Sequence, residues 1–200
     1  MKGCYMGKAV SPGIAVGRIA VYRKQEQNVR RYHTENVKQE IERLDEAVRT
    51  AVRQVAELWE KAKKEAGEAG AAIFGAHQMM LQDEDYQEAV KNMIRTKKVN
   101  AEYAVAAAAD HFSEMFSSMD DDYMKERAAD VKDISERLVQ ILSGKEETGP
   151  GRQEPVILLA EDLSPSETVR LVKSRLLGFV TRRGSANSHT PILARTMGIP

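Results

Sequence analysis

His189 stands between Ser188 and Thr190, behind the small-residue run Gly184-Ser185-Ala186-Asn187 and ahead of Pro191-Ile192-Leu193-Ala194-Arg195. An imidazole at the mouth of a helix suits nucleophilic catalysis: a neutral ring nitrogen attacks a phosphoryl group, carries it and passes it on. The free N–H groups of a first helical turn welcome the dianion. The second ring nitrogen must keep its proton, and the oxygen that accepts it has to come from elsewhere in the fold. A Ser-His-Thr tripeptide taken alone reads more readily as part of a capping region, and the whole stretch shifts that reading.

The flanking residues set the elements that hold this histidine. Leu176 to Thr181 is an apolar strand, Gly184 to Asn187 a loop, and Ile192 to Met197 a helix closed by Gly198 and stopped by Pro200. Asn187 or Ser188 serves as N-cap, which places Pro191 in or at the edge of the first turn, where its missing N–H costs little. Upstream, Val156 to Ala160 is a strand, and Ser164-Pro165-Ser166-Glu167 is a capping box opening a helix to about Lys173. Strand, helix, strand, loop and helix in succession make a layered α/β unit. Lys2 to Ala9 and Ile14 to Tyr22 read as two strands joined at Ser11-Pro12-Gly13, and because an isolated hairpin is marginal they are expected to join the distant sheet. Cys4, the single cysteine, reads as a small hydrophobe in the first of them.

Everything between is then a helical insertion. Thr34 is a plausible N-cap for a long helix in which Val37, Ile41, Leu44, Val48, Ala51, Val55, Leu58 and Ala62 alternate four-three spacings. Gly67 to Gly70 breaks that helix. Asp83 caps a second from Glu84 to about Lys97, Asn100 a third from Ala101 to about Phe116, and Asp120-Asp121-Asp122 opens a fourth to Leu142 with Ser143-Gly144 as its stop. The three aspartates complement a helix dipole without any metal ion, and no ligand spacing of a known kind accompanies them. The long seam fits either a self-associating helix or an antiparallel bundle within the chain, and the helices that follow favour the bundle. Lys145 to Gln153 is a linker back to the sheet. The expected organisation is an α/β unit from residues 1–32 and 145–200 around a helical unit from 33–144.

Composition narrows the function. The 200 residues carry 30 basic and 30 acidic side chains, a balance unlike the basic excess of a nucleic-acid binder. No apolar run is long enough to cross a bilayer and no signal peptide opens the chain, so no membrane insertion and a cytoplasmic location are expected. Met79, Met80 and Leu81 follow His77, and three adjacent apolar residues cannot all face one core from a helix. With Glu68, Asp83, Glu84 and Asp85 nearby, they form either an apolar binding patch with an acidic rim or part of a bundle core.

The stretch from Gly184 to Pro200 resembles the phosphohistidine signature of the PEP-utilising enzymes, most closely that of enzyme I of the bacterial phosphotransferase system. Ser11-Pro12-Gly13-Ile14-Ala15, Ala72-Ile73-Phe74 with His77, Lys125 to Ile134, and Asp162 to Thr168 resemble the same family in the same order. The likeness covers essentially the whole chain. One departure stands in the loop, which in the family commonly reads Gly-Gly-Arg-Thr or Gly-Gly-Ser-Thr where this chain has Gly184-Ser185-Ala186-Asn187, so the arginine that some members place there has no counterpart within these four residues.

The resemblance implies phosphoryl transfer through a phosphohistidine on His189, with the Thr168 hydroxyl accepting from the non-reacting nitrogen and Arg195 steadying the phosphate. It implies that the helical unit binds the phosphocarrier protein HPr through Glu68, Phe74, His77, Met79, Met80, Asp83, Asp85, Tyr86, Lys97 and Arg127. It also implies no cofactor or metal in these 200 residues, with PEP and Mg2+ bound by a barrel domain beyond residue 200, and a sheet left incomplete at its C-terminal end. Two other readings are the swivelling domain of a pyruvate phosphate dikinase or PEP synthase, disfavoured by the helical insertion and the Ser-His-Thr form, and a non-catalytic helical adaptor dimerising through Val37 to Ala62.

Overall fold

The computed structural model describes residues 5–23, 28–144, 154–170, 176–183 and 189–200. Within them run β1 (Arg18–Tyr22), α1 (Val37–Gln82), α2 (Glu84–Lys97), α3 (Ala101–Ser117), α4 (Asp122–Leu142), β2 (Val156–Ala160), α5 (Pro165–Arg170), β3 (Leu176–Thr181) and α6 (His189–Met197). The chain divides into two compact units, one of residues 1–24, 62–70 and 149–200, the other of 25–61 and 71–148. Against the expected joins at 32/33 and 144/145, the α/β unit also takes in a short piece of the long helix.

In the α/β unit the sheet has the order β1-β2-β3, parallel throughout. β2 and β3 coincide with the two strands expected from sequence. The N-terminal hairpin does not form. Residues 5–17 follow an irregular path and only Arg18–Tyr22 is a strand, paired parallel with β2 from Arg18↔Val156 to Tyr22↔Ala160. The stretch ahead of β1 is held by close packing rather than by a ladder. A Cβ on Gly17 would come within 2.4 Å of Leu177 Cδ1, and one on Gly13, at φ +134, within 2.9 Å of the Pro200 side chain. Residues 1–4, with Cys4, lie outside the described residues, as do the linker residues 145–153.

Side chains alternate across the pleat. Ala20, Leu158 and Ala160 are buried while Ile19, Val21, Leu159 and Val180 are exposed. On the sheet's C-terminal end, Arg182 N–H donates to the Ala160 carbonyl at 3.0 Å and Arg183 N–H to that of Glu161 at 2.8 Å, which extends the β2–β3 pairing.

The helical unit buries Leu44, Val48, Ala51, Val55 and Leu58, so most of the regular seam is consumed inside the chain and the dimerising adaptor loses its interface. Polar clasps tie α1 to its neighbours: Lys91 to Asp45 at 2.8 Å, Arg137 to Gln54 at 3.0 Å, and Arg43 to Glu40 on its own helix and Glu102 on α3, at 2.8 and 2.5 Å. Among the described residues no helix is long and apolar enough to cross a membrane.

Several caps differ from expectation in informative ways. α1 begins at Asn36, whose side chain accepts from Gln39 N–H at 3.2 Å, while Thr34 supports the approach by accepting from Asn36 N–H. Asn100 sits at the N-cap of α3 but spends its side chain elsewhere: it accepts from Tyr32 N–H at 2.8 Å and donates to the Arg30 carbonyl and to Glu102. Glu40 supplies the missing acceptor, taking Ala101 N–H at 2.8 Å. A long-range carboxylate thus does the work of a local cap. Asp83 and Asp121 cap α2 and α4 as expected, accepting from Tyr86 and Tyr123 N–H at 2.8 Å. Gly67 to Gly70 kinks α1 instead of ending it: Gly67 alone takes a non-helical conformation, φ 70 and ψ −175, and the helix resumes to Gln82. Glu68 and Ala69 are good helix formers, so the glycine's freedom is needed at one position only.

Candidate functional site

α6 begins at His189, as a helix presenting its first turn to an anion requires. The His189 side chain, the loop Gly184 to Asn187 and the possible cap Ser188 lie outside the described residues. Pro191 is the third residue of α6 and so has no intrahelical acceptor to miss. Leu193, Ala194 and Met197 are buried and anchor the helix along one side. Its end is a Schellman turn. Gly198 adopts φ 65, its N–H meets the Arg195 carbonyl at 3.1 Å, and Ile199 N–H meets that of Ala194 at 2.9 Å. The C-terminal end of the helix is therefore fixed by residues legible in the sequence.

α5 packs against α6. Its start is the expected capping box, with Ser164 N–H donating to Glu167 Oε2 at 2.8 Å and Glu167 N–H to Ser164 Oγ at 3.3 Å. The other oxygen of Glu167 accepts from the Tyr22 hydroxyl at 2.6 Å, so one carboxylate caps α5 and ties it to the end of β1. Thr168 follows on this helix, 1% exposed, and its Oγ1 donates to the Ser164 carbonyl at 2.9 Å. With its proton committed there, the hydroxyl is left as an acceptor. The expected continuation of α5 to Lys173 falls outside the described residues.

Arg195 occupies the last turn of α6, exposed, with Nη1 directed to the Val10 carbonyl at 3.4 Å. Six residues of helix place its Cα about 9 Å along the axis from that of His189. At that position a guanidinium complements the C-terminal end of the helix dipole. Two other cations stand at the end of the sheet. Arg182 Nη1 and Arg183 Nε pair with Glu161 at 3.4 and 3.0 Å, at the C-terminal ends of β2 and β3. Ligands of open parallel sheets gather at this end. Two adjacent arginines closing an apolar strand were the signal available in the sequence.

The residues expected to contact a partner divide sharply. Met79, Asp83, Asp85 and Lys97 are exposed, Met80 is half-buried, and Met79 stands 69% exposed while its neighbour Leu81 is fully buried. Phe74, His77 and Tyr86 are core residues, 0%, 1% and 5% exposed, and in this structure form no surface. His77 sits against Phe74 edge-on, with Nε2 3.4 Å from Asp130 and Nδ1 3.6 Å from Asp133. Asp130 also pairs with Arg127 at 3.2 Å, and Arg127 bonds the Tyr123 hydroxyl and lies over its ring at 4.7 Å. Burial lowers the Arg127 pKa, but the Tyr123 hydrogen bond and the Asp130 charge outweigh it and hold it above the ordinary value. Tyr86 bonds Ser135 through its hydroxyl at 2.7 Å, and burial pushes its pKa up to about 12 against the lowering effect of that bond. Glu68 belongs with the α/β unit, exposed and paired with Lys63 at 2.6 Å.

Comparison with known proteins assigns the class. Residues 6–127 match the family described as PEP-utilising enzyme, N-terminal, and residues 152–200 match PEP-utilising enzyme, mobile domain. The chain belongs to the PEP-utilising enzymes. Within them it corresponds to the N-terminal portion of enzyme I, phosphoenolpyruvate-protein phosphotransferase. It is 38% identical over 195 residues to that enzyme of Bacillus subtilis, covering 97% of this chain and 34% of the relative. The Haemophilus influenzae enzyme is 39% identical over 197 residues, with the same shares covered. The chain thus spans about a third of the length of these relatives. An NMR solution structure of an enzyme I protein matches with TM-score 0.77 and 36% identity, over 96% of this chain and 78% of that one. The N-terminal domain of a nitrogen enzyme I matches with TM-score 0.69 and 30% identity, over 96% and 79%.

Proposed function

We propose that this chain carries a phosphoryl group on His189 and exchanges it reversibly with the histidine of HPr docked on the helical unit. The reading rests above all on Thr168. It is a buried hydroxyl on the helix packed against α6, with its proton committed to Ser164 and only its lone pairs left to offer. Such a group fixes one tautomer of a neighbouring imidazole and leaves the opposite nitrogen as nucleophile. The N-terminal turn of α6 adds backbone N–H groups suited to the transferred phosphate. Arg195 is the proposed cation for that phosphate, and Arg182 and Arg183 bring further positive charge to the same end of the sheet.

HPr docks in this reading at Met79 and Met80, with Asp83, Asp85 and Arg127 as its polar contacts and Phe74, His77 and Tyr86 as packed support, while Lys97, at the far end of α2, lies about 18 Å along the axis from Asp85. PEP and magnesium are bound in this reading outside the third of the relatives' length that the chain matches, and the relatives' complete reaction is proposed for this chain only as part of such a protein. The deciding experiment is incubation with phosphorylated HPr followed by mass mapping of the phosphate. Label on His189, lost in His189→Ala and absent with PEP and magnesium alone, is the expected result. Label retained by His189→Ala would remove the assignment.

A further inference from the structure

The kink of α1 has a steric partner on the helix that begins at His189. Residues 62–70 form part of the α/β unit, and within that unit Gly70 faces Leu193: a Cβ built on Gly70 lies 3.3 Å from Leu193 Cδ2. The same Cβ would stand 2.5 Å from the Ala66 Cβ. In a regular helix, residues four apart hold their Cβ atoms about 5 to 6 Å from each other. The left-handed conformation of Gly67, φ 70, therefore folds the resumed helix back onto its preceding turn, and only glycine fits at position 70. Leu193 is 1% exposed and Ala66 4% exposed, so this contact is fully packed. Leu193 is also four residues after His189, one turn along and on the same face of α6.

We propose that Gly70 is a positioning residue for phosphoryl transfer at His189. Gly67 turns the chain and Gly70 clears the space, so that the kinked turn seats Leu193 and sets the height and rotation of the α6 face that bears the histidine. Added bulk at position 70 moves that face. Ala66 Cβ is fixed to backbone and cannot swing aside, whereas the Leu193 methyl can, so relief must come from displacement of the kinked turn.

The inference rests on His189 carrying the phosphoryl group, and its test separates the two. Gly70→Ala is expected to slow transfer from phospho-HPr about tenfold or more at saturating donor with KM unchanged, since a misplacement near 1 Å can cost on the order of a hundredfold. Ala66→Gly in the same chain removes the opposing Cβ and is expected to restore most of the rate. An unchanged rate, a change confined to KM, or no rescue by Ala66→Gly would overturn the role. Should Gly70→Ala fail to fold, Leu193→Val thins the same contact from the α6 side and must slow transfer in the same way. The nitrogen NMR spectrum of the His189 imidazole needs no donor and is expected to move in Gly70→Ala and return in the Ala66→Gly pair. A wild-type chain that took no label would sink the phosphohistidine reading and the Gly70 role with it, while an unmoved imidazole spectrum with a labelled wild type would sink the Gly70 role alone.

Discussion

Thr168 Oγ1 gives its proton to the Ser164 carbonyl at 2.9 Å, one turn back on the same helix. Because a hydroxyl has one proton, this bond settles what Thr168 can do for any third group: it accepts. A back-bonded threonine adds little to helix stability, so the conformation matters more for the lone pairs it aims than for α5 itself.

From this follows the first prediction. Thr168→Val keeps the shape and removes the acceptor, and transfer to His189 should slow by the worth of one hydrogen bond, about 0.5 to 1.5 kcal/mol or roughly two- to tenfold. Thr168→Ser should keep most of the rate. Rapid-quench kinetics with phospho-HPr measure both, and a valine variant as fast as wild type with an unaltered imidazole tautomer would remove Thr168 from the site.

The second concerns docking. Met79→Ala truncates the most exposed methionine of the patch and should weaken HPr binding by about 1 kcal/mol, close to fivefold. Asp85→Lys should weaken it further, with an effect that shrinks as salt shortens the Debye length from about 10 Å at 0.1 M. Asp83 is a poor choice for charge reversal because it caps α2 through Tyr86 N–H, and a lysine there would damage the helix as well as the rim. Calorimetric titration across salt concentrations gives the answer. Equal affinities for wild type and Met79→Ala would place HPr elsewhere.

The third separates support from surface. Phe74 is fully buried, and Phe74→Ala should cost the helical unit about 3 to 5 kcal/mol, as for other large-to-small core changes. Any loss of HPr affinity should then track unfolding, read by circular dichroism on the same sample. A variant that melts like wild type yet fails to bind HPr would return Phe74 to the contact surface.

How far the sequence could be read depended on whether the deciding interaction was local. The Ser164–Glu167 capping box, Asp83 before α2, and the strands β2 and β3 all rest on residues close together in the chain, and each formed where expected. The cap of α3 did not follow from its neighbours, because Glu40 reaches Ala101 from another helix and releases Asn100 to bind residues 30 and 32. The N-terminal hairpin did not form, although the expected junction with the distant sheet did: β1 pairs with β2, and the glycines before it serve close packing instead of a turn between strands. At the candidate site, Thr168 is buried on α5, the helix packed against α6, whereas Phe74, His77 and Tyr86, expected at a surface, are core. The three-four spacing of Phe74, His77 and Leu81 already marks one buried stripe, which the adjacent methionines mask in the sequence.

The last prediction uses the Tyr86 hydroxyl, held near pKa 12 by burial against an ordinary value of 10. Below pH 10 folded and unfolded chains both keep the proton and the group has no pH-dependent effect. Between about 10 and 12 the unfolded chain releases it while the folded chain retains it, so the unfolded state binds fewer protons and stability falls as pH rises. Two pKa units correspond to a loss on the order of 2 to 3 kcal/mol across that window. Tyr86→Phe cannot ionise and should lose this component of the alkaline slope. It should also give up about 1 kcal/mol at neutral pH, because Ser135 loses its partner in a buried setting. Urea denaturation of the two chains at neutral pH and at several points up to 12 should therefore give curves that converge or cross as pH rises. Parallel curves would mean that Tyr86 titrates alike in both states, which its burial against Ser135 does not allow.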